Sequence, residues 1–319
     1  MLKTEIYKLI KYIKHNQIDK IKWDDCIKQS FNGNIYVYSW YLDLIHESWD
    51  ALIEDDYQRV MPLTLKTKNG ITYYFQPYFT QQFGVFSKRI LNPDIVDNFI
   101  KNIPKHVKII DINLNSYNKL DDESYDINLN ANYLLDLISG YQKLYLQYST
   151  NTKRNLKKSI KNNLTFMKGV KPETVIKIFR DNKGADITKW SDSNYLVFQR
   201  VMYTAIHKGM GFSCGVYTEH NELCAAAFFM NTGNRLTFLF SGTNELARTN
   251  GAMSMLIDTI IRDNSETSKI LDFEGSNNQN LARFYKGFGA KKTTYIGLKI
   301  NRLNIFLKIL LNAYRRLAN

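Results

Sequence analysis

Apolar residues along this chain recur in two rhythms, one of period 3.6 and one of period 2, and each predicts a different element. Residues 3–15 (KTEIYKLIKYIKH) set Ile6, Leu9, Ile10 and Ile13 at helical spacing with lysines between them, which predicts an amphipathic first helix. A second helix is predicted over 20–30, closed by Asn32-Gly33-Asn34. The β-branched and aromatic run 35–40 predicts a strand and 48–55 a turn. Two strands over 59–68 and 71–79 meet at Asn69-Gly70, the strongest short hairpin signal in the chain. A helix over 94–103, a strand over 108–115 and a polar connection over 116–132 complete the first half.

The second half opens with STNTKRNLKKSIKNN (149–163), a helix that Thr150 or Thr152 can cap and whose face carries Lys153, Arg154, Lys157, Lys158 and Lys161. Helices are predicted over 173–184 and 191–209, and 212–230 reads as two strands turning at His220-Asn221. A strand over 234–243, a helix over 251–263, a strand over 269–275, a short helix over 280–290 and a strand over 293–300 follow. The end, 304–319, reads as a basic amphipathic helix. The two halves share a loose order of helices before strands without any residue-level repeat. The fold class is therefore α/β (α+β), with domains over 1–145 and 146–300 and a terminal helix over 301–319.

Composition narrows the function classes. A length of 319 residues is about two domains' worth, and 44% hydrophobic residues can build substantial cores. Cys26, Cys214 and Cys224 are widely spaced with no CxxC pair, which excludes zinc-finger and disulfide-scaffold readings and fits a reducing compartment. His207 and His220 stand alone, so no metal-ligating set or triad is read. No signal peptide is read at the start, and the purest apolar run, 223–230, is far short of the ~20 residues that span a bilayer, so a cytoplasmic location is expected. The formal charge of +13 favours anionic partners: nucleic acid, phosphate-bearing donors or anionic membrane.

Candidate chemistry concentrates in 234–298. A strand leads through the polar loop NELARTN to a helix starting at Gly251, where free amides, a glycine and Arg248 suit a pyrophosphate. After the strand LDFEG come Asn278, Leu281-Ala282, Phe284-Tyr285 and Gly289. With the preceding Arg248-Thr249-Asn250-Gly251-Ala252, this pattern resembles the GNAT acyltransferase superfamily. The pairing of FEGSNNQNLARFYKGFGA with the upstream STNTKRNLKKSIKN is similar to its Fem-type, FemAB-like branch. The likeness covers roughly 145–300, and in the first half only FTQQFGVFS (79–87). Met253 stands where a small residue is expected and Ala290 where phenylalanine is usual.

The resemblance implies a bacterial protein of two tandem GNAT-like domains, each a mixed, mostly antiparallel sheet flanked by helices, with the acceptor side first and the donor side second. It implies transfer of an acyl or aminoacyl group to an amine by direct attack, without a tightly bound cofactor. Acyl-coenzyme A or aminoacyl-tRNA is the donor, and the acceptor is an amine such as that of a cell-envelope precursor. Arg248, Asn250, Gly251, Ala252 and Asn278 are then donor contacts. Glu274, or next Asp272 on the same face of the strand, is the base, and Tyr285 protonates the leaving group. Trp40, Tyr78, Gln81, Gln82, Arg154 and Lys157 are the candidate acceptor contacts. Glu274 before Gly275-Ser276 equally suits a turn or cap, and Trp40 and Tyr285 equally suit a core. The terminal helix is expected to pack on the first domain, with contact to an anionic membrane as its alternative. The whole reading requires the turn between Ser241 and Met253 to present uncovered amides beside an open cavity. A plugged turn favours a non-catalytic module that keeps the fold.

Overall fold

The computed structural model describes residues 9–182, 184, 190–275 and 277–305. The expected first helix before residue 9 and the terminal helix beyond residue 305 lie outside these. In chain order the described elements are β1 (Ile10–Ile13), α1 (Lys20–Gln29), α2 (Ser39–Ile45), β2 (Asp50–Glu54), β3 (Arg59–Leu63), β4 (Leu65–Lys68), β5 (Ile71–Phe75), β6 (Phe86–Ser87), α3 (Pro93–Lys101) and β7 (Val107–Asn113). Next come β8 (Asp126–Asp136), α4 (Tyr141–Leu146), α5 (Thr150–Lys161), β9 (Thr165–Lys168), α6 (Pro172–Arg180), α7 (Asp192–His207), β10 (Gly211–Tyr217), β11 (Leu223–Thr232) and β12 (Arg235–Thr243). α8 (Ala247–Asn250), α9 (Ala252–Asn264), β13 (Ile270–Asp272), α10 (Gln279–Lys286) and β14 (Lys291–Asn301) follow. The fold is α/β, as the order of elements implies.

Two compact units emerge, one from the described residues of Met1–Leu129 and Tyr295–Asn319, the other from those of Asn130–Thr294. The expected junction near 145 thus falls earlier, inside β8, and the chain re-enters the first unit inside β14. The start of β8 reads as connection in sequence because Asp126, Ile127, Asn128 and Leu129 are all exposed.

In the first unit β1, β2, β3 and β6 form one antiparallel sheet, while β4, β5, β7 and the end of β14 pair in that order, β5 with β7 in parallel. Trp23, Tyr41, Trp49, Tyr74, Phe83, Phe86 and Phe99 fill its core. Three local expectations fail here for tertiary reasons. Ile10–Ile13 is a strand because its backbone pairs with β2, Ile10 opposite Glu54. The expected turn at 48–55 contains β2, whose Asp50 is accommodated by Tyr12, by Lys14 Nζ at 3.0 Å and by the His15 amide at 3.0 Å. The expected strand at 35–40 is instead a 3-10 turn running into α2, where Asp24 of α1 accepts hydrogen bonds from the Ser39 amide and hydroxyl, both at 2.7 Å.

In the second unit the strand order is β8, β13, β12, β11, β10, β9, with β12 and β13 parallel and the other neighbours antiparallel. Its core joins the inner sheet face (Ala225, Ala227, Phe229, Leu236, Phe238) to α9 (Leu256, Ile257, Ile260, Ile261) and to Phe273, Tyr285 and Phe288. Helix α5 starts one residue earlier than read: Ser149 is the cap and accepts the Thr152 amide at 3.2 Å. All three cysteines are free and buried.

Candidate active site

The turn expected to hold a donor's phosphates is closed. Between β12 and α9 the chain makes the short helix α8, and its amides bond within the polypeptide. Ala247 donates to Asn244 Oδ1 at 3.1 Å, Arg248 to the Glu245 carbonyl at 3.1 Å, and Asn250 to the Leu246 carbonyl at 3.0 Å. Asn250 is buried, accepts the Ala252 amide on Oδ1 at 3.0 Å, and points its Nδ2 at Cys224 Sγ at 3.2 Å. Gly251 has φ +82°, and a Cβ there would lie 2.2 Å from the Asn155 carbonyl oxygen of α5. The glycine that sequence assigns to a ligand is instead the point where α5 crosses the start of α9. Arg248 is exposed on α8, and Ala252 is fully buried. Of the five expected donor contacts, Asn250, Gly251 and Ala252 are thus occupied in packing. Asn278 caps α10, accepting the Asn280 amide at 2.9 Å and the Leu281 amide at 3.3 Å.

The expected acid–base group is brought together more closely. β13 ends at Asp272, and the chain then turns through Glu274 (φ +56°) and Gly275 (φ +62°), a left-handed pair that only glycine adopts without strain. Gly275 is obligatory, since a Cβ would meet the Ala131 carbonyl oxygen at 2.1 Å. Glu274 is half-buried, and desolvation raises its carboxyl well above the usual carboxylate range. Tyr285 is buried and stacked on Phe273 with ring centroids 4.8 Å apart; desolvation first, then the Glu274 charge, raises its phenol. The two groups are therefore within electrostatic reach of each other. Asp272 is not a free base. Its Oδ2 pairs with Arg235 Nη1 at 2.5 Å and its Oδ1 accepts the Glu274 amide at 2.9 Å.

Beside this turn lies an open cleft of about 930 Å³ between the first turns of α5 and helix α10. Tyr133 and Phe284 supply aromatic surface, Arg283, Lys286 and Lys292 supply charge, and no carboxylate is among its described lining residues. Ser149, Thr152 and five carboxamides, Asn151, Asn155, Asn277, Gln279 and Asn280, make the rest of the wall largely polar. Neither Glu274 nor Tyr285 lines it, but the Tyr133 ring in its wall is 5.9 Å from that of Tyr285. Lys286 Nζ sits 5.9 Å from the Tyr133 ring centroid. The chemistry suits an anionic ligand with a planar or apolar portion.

The remaining candidates are scattered. Arg154 and Lys157 are exposed on α5, outside the cleft, and Arg154 Nη2 donates to Asn151 Oδ1 at 2.6 Å. Trp40, Tyr78, Gln81 and Gln82 belong to the first unit. Trp40 packs edge-on against Tyr41 at 5.5 Å, and Tyr78 is exposed. The Gln82 carboxamide is occupied, donating to Gln81 Oε1 at 2.7 Å and accepting the Ser116 amide at 3.0 Å.

With this geometry in hand, comparison with known proteins is informative. No family model matches the sequence, and no curated protein matches it. Solved structures do. The crystal structure of FemX superposes with a TM-score of 0.64 over 94% of this chain and 99% of its own, at 13% identity. The structure of L-PGS from Bacillus licheniformis gives 0.53 at 10% identity, covering 92% of this chain and 95% of its own. The C-terminal domain of a lysylphosphatidylglycerol synthetase from Agrobacterium fabrum, described there as putative, gives 0.52 at 12% identity over 92% and 94%. The fold is of the Fem type.

Within the Fem-type fold, the residues missed in sequence are those of the cleft wall: Tyr133, Arg283, Lys286 and Lys292. Tyr133 lies just past the polar connection read over 116–132, in the part of β8 given no element in sequence, and the three cations carry no spacing signal that separates them from a solvated surface. One cue was available. Arg283 and Lys286 flank the Phe284-Tyr285 pair at helical spacing, so their charges emerge on the side of α10 opposite its core face.

Proposed function

We propose that the chain transfers an aminoacyl group from an aminoacyl-tRNA to an amine, with the donor's phosphates held in the α5–α10 cleft. The observation that carries this reading is the cleft itself: three cations, two aromatic rings and no carboxylate among the described residues of its wall, on a Fem-type fold. The turn at Gly251 weighs against coenzyme A, whose pyrophosphate needs close approach to a helix start that α5 lies against and whose Ala252 amide is bonded to Asn250. The name of one structural neighbour, lysylphosphatidylglycerol synthetase, supports an aminoacyl group as the one transferred. An amine-bearing cell-envelope precursor is the proposed acceptor class.

In this reaction the acceptor nitrogen attacks the ester carbonyl, the bond to the ribose oxygen breaks, the amine loses a proton and the ribose oxygen gains one. Alignment of the two substrates supplies much of the acceleration. Glu274, with its raised affinity for a proton, is the proposed acceptor of the amine proton, and Tyr285 the proposed donor to the leaving oxygen.

A second reading, a non-catalytic binding module, is favoured by the same closed turn. The two separate in one experiment on the full chain. Thermal unfolding is followed with uncharged tRNA or coenzyme A, and transfer of a labelled amino acid from aminoacyl-tRNA to amine-bearing envelope precursors is assayed. The proposal expects protection by tRNA, none by coenzyme A, and transfer. Replacing Arg283, Lys286 and Lys292 with alanine lowers tRNA affinity about 10- to 100-fold and flattens its salt dependence, as loss of phosphate contacts requires. Protection by coenzyme A, or parental tRNA binding by the triple variant, refutes it, while no protection by either ligand leaves the module.

A further inference from the structure

The loop that carries Glu274 is more tightly determined than a turn between a strand and a helix needs to be. Asp272 is 4% exposed, and its two carboxylate oxygens face different partners. One pairs with Arg235, from the start of β12, and the other accepts the amide of Glu274. β8 fixes the flanks: the Phe273 amide donates to the Tyr133 carbonyl at 3.0 Å, and the Ala131 amide donates to Asn277 Oδ1 at 3.0 Å. Between these anchors sits Glu274 at φ +56°, a conformation that costs a non-glycine residue roughly 1–3 kcal/mol and persists only where its surroundings impose it.

We infer that Asp272 is a positioning residue, and that the Arg235–Asp272 pair holds Glu274 in its left-handed conformation so that its carboxyl stays in the desolvated space beside Tyr285. The inference rests on the reading of Glu274 as proton acceptor, and gives the buried pair a role in setting that group's acidity. Among the described residues, Tyr285 on α10 senses the Glu274 charge, Asp272 on β13 holds the Glu274 amide, and Arg235 on β12 holds Asp272. Freed from the Asp272 contact, residue 274 relaxes toward ordinary backbone angles and its carboxyl turns to water. Its proton affinity then falls, because the burial that raised it is lost.

The test is a carbon-13 NMR titration of the glutamate carboxyls of the full chain, the Glu274 resonance being identified by its absence in Glu274→Gln. In the parent protein Glu274 titrates above the ordinary glutamate range. Asp272→Asn, whose amide offers one oxygen where two are needed, moves that midpoint down by about one pH unit or more. It also lowers kcat for aminoacyl transfer roughly tenfold while KM stays within about twofold, the split expected when a reacting group is misplaced and binding is intact. A midpoint unchanged in Asp272→Asn overturns the inference, even if the variant is less stable, because a merely structural pair alters stability and not the titration of Glu274. Should Asp272→Asn fail to fold, hydrogen exchange in the parent decides: the Glu274 amide exchanges at least about 100-fold slower than in a free peptide if Asp272 holds it, and at the peptide rate if not. Failure of the catalytic reading looks different. There Glu274→Gln keeps full turnover while Glu274 still titrates high and still responds to Asp272→Asn.

Discussion

Two places in the second compact unit present the start of a helix next to polar and cationic side chains, and they have opposite fates. At the start of α9 the glycine, the Asn250 carboxamide and the Ala252 amide are engaged by the protein itself, with Gly251 against the Asn155 carbonyl. At the starts of α5 and α10 the wall stays open over about 930 Å³, and its cations point into solvent-accessible space. α5 makes both outcomes: its Asn155 carbonyl closes the first site, while Asn151, Thr152 and the Asn155 side chain line the second. A glycine at a helix start is thus evidence of a close approach, and what approaches is decided by the fold around it.

The sharpest way to break this comparison is to fill the closed site. Gly251→Ala puts a methyl group at a positive φ and 2.2 Å from a backbone oxygen that cannot move without shifting α5. The expected loss is about 3 kcal/mol or more, from strain and overpacking together. Chemical denaturation of the full chain measures it. A glycine kept only for a ligand's approach would give a mild stability change, and that result would reopen the donor site at α9.

A smaller effect, but one with a definite pH signature, is expected at Glu274. Its carboxyl is raised by desolvation in the folded chain, so the folded state holds the proton more tightly than the unfolded one. The stabilising contribution is fully present below the unfolded-state value, and is lost as pH rises through the folded-state value. Glu274→Gln, which cannot ionise, should therefore match the parent in the acid range and become progressively more stable than it as pH rises. Each pH unit between the two titrations corresponds to about 1.4 kcal/mol. Equal stability of the two proteins across that span would mean that the carboxyl is solvated and no candidate base. In the proposed reaction the same sign makes turnover rise with pH through a value above the ordinary glutamate range, because only the ionised carboxylate accepts a proton.

How much of this was legible in the sequence follows from where the information is local. The hairpin at Asn69-Gly70, the helices α1, α3, α6, α7, α9 and α10, and the strands β10 to β14 are specified by short-range turn chemistry and periodicity, and the structure has them near where the pattern predicts, whereas α8 falls in what reads as a polar loop. β1, β2 and α2 are not, because each is fixed by a partner distant in sequence: β1 and β2 pair with one another, and α2 is capped by Asp24. At the site, the motif identifies the segment 272–285 but not its division of labour. Asp272 and Glu274 share a strand face on paper. The left-handed turn breaks that equivalence, giving one carboxylate to Arg235 and leaving the other desolvated near Tyr285. Nothing in the spacing of Arg248 to Gly251 reveals that α5 lies across it, since α5 is nearly a hundred residues away.

Arg248 offers the smallest expected effect and the cleanest control on the comparison. It is the cation of the expected donor set, exposed as Asn278 also is, on a four-residue helix whose own amides are bonded internally. If anion binding had survived at α9 in any form, this guanidinium would be its most accessible cation. If the cleft carries the function, Arg248→Ala changes neither stability, to within about 0.5 kcal/mol as for other exposed positions, nor tRNA affinity beyond the general loss of one surface charge. Titrations at two salt concentrations separate the cases. A diffuse surface charge fades at higher ionic strength because screening acts on it first, whereas a direct phosphate contact persists as a change in salt slope of about one. A slope change of that size at Arg248, with none at Arg283, would move the donor from the open cleft back to the closed turn.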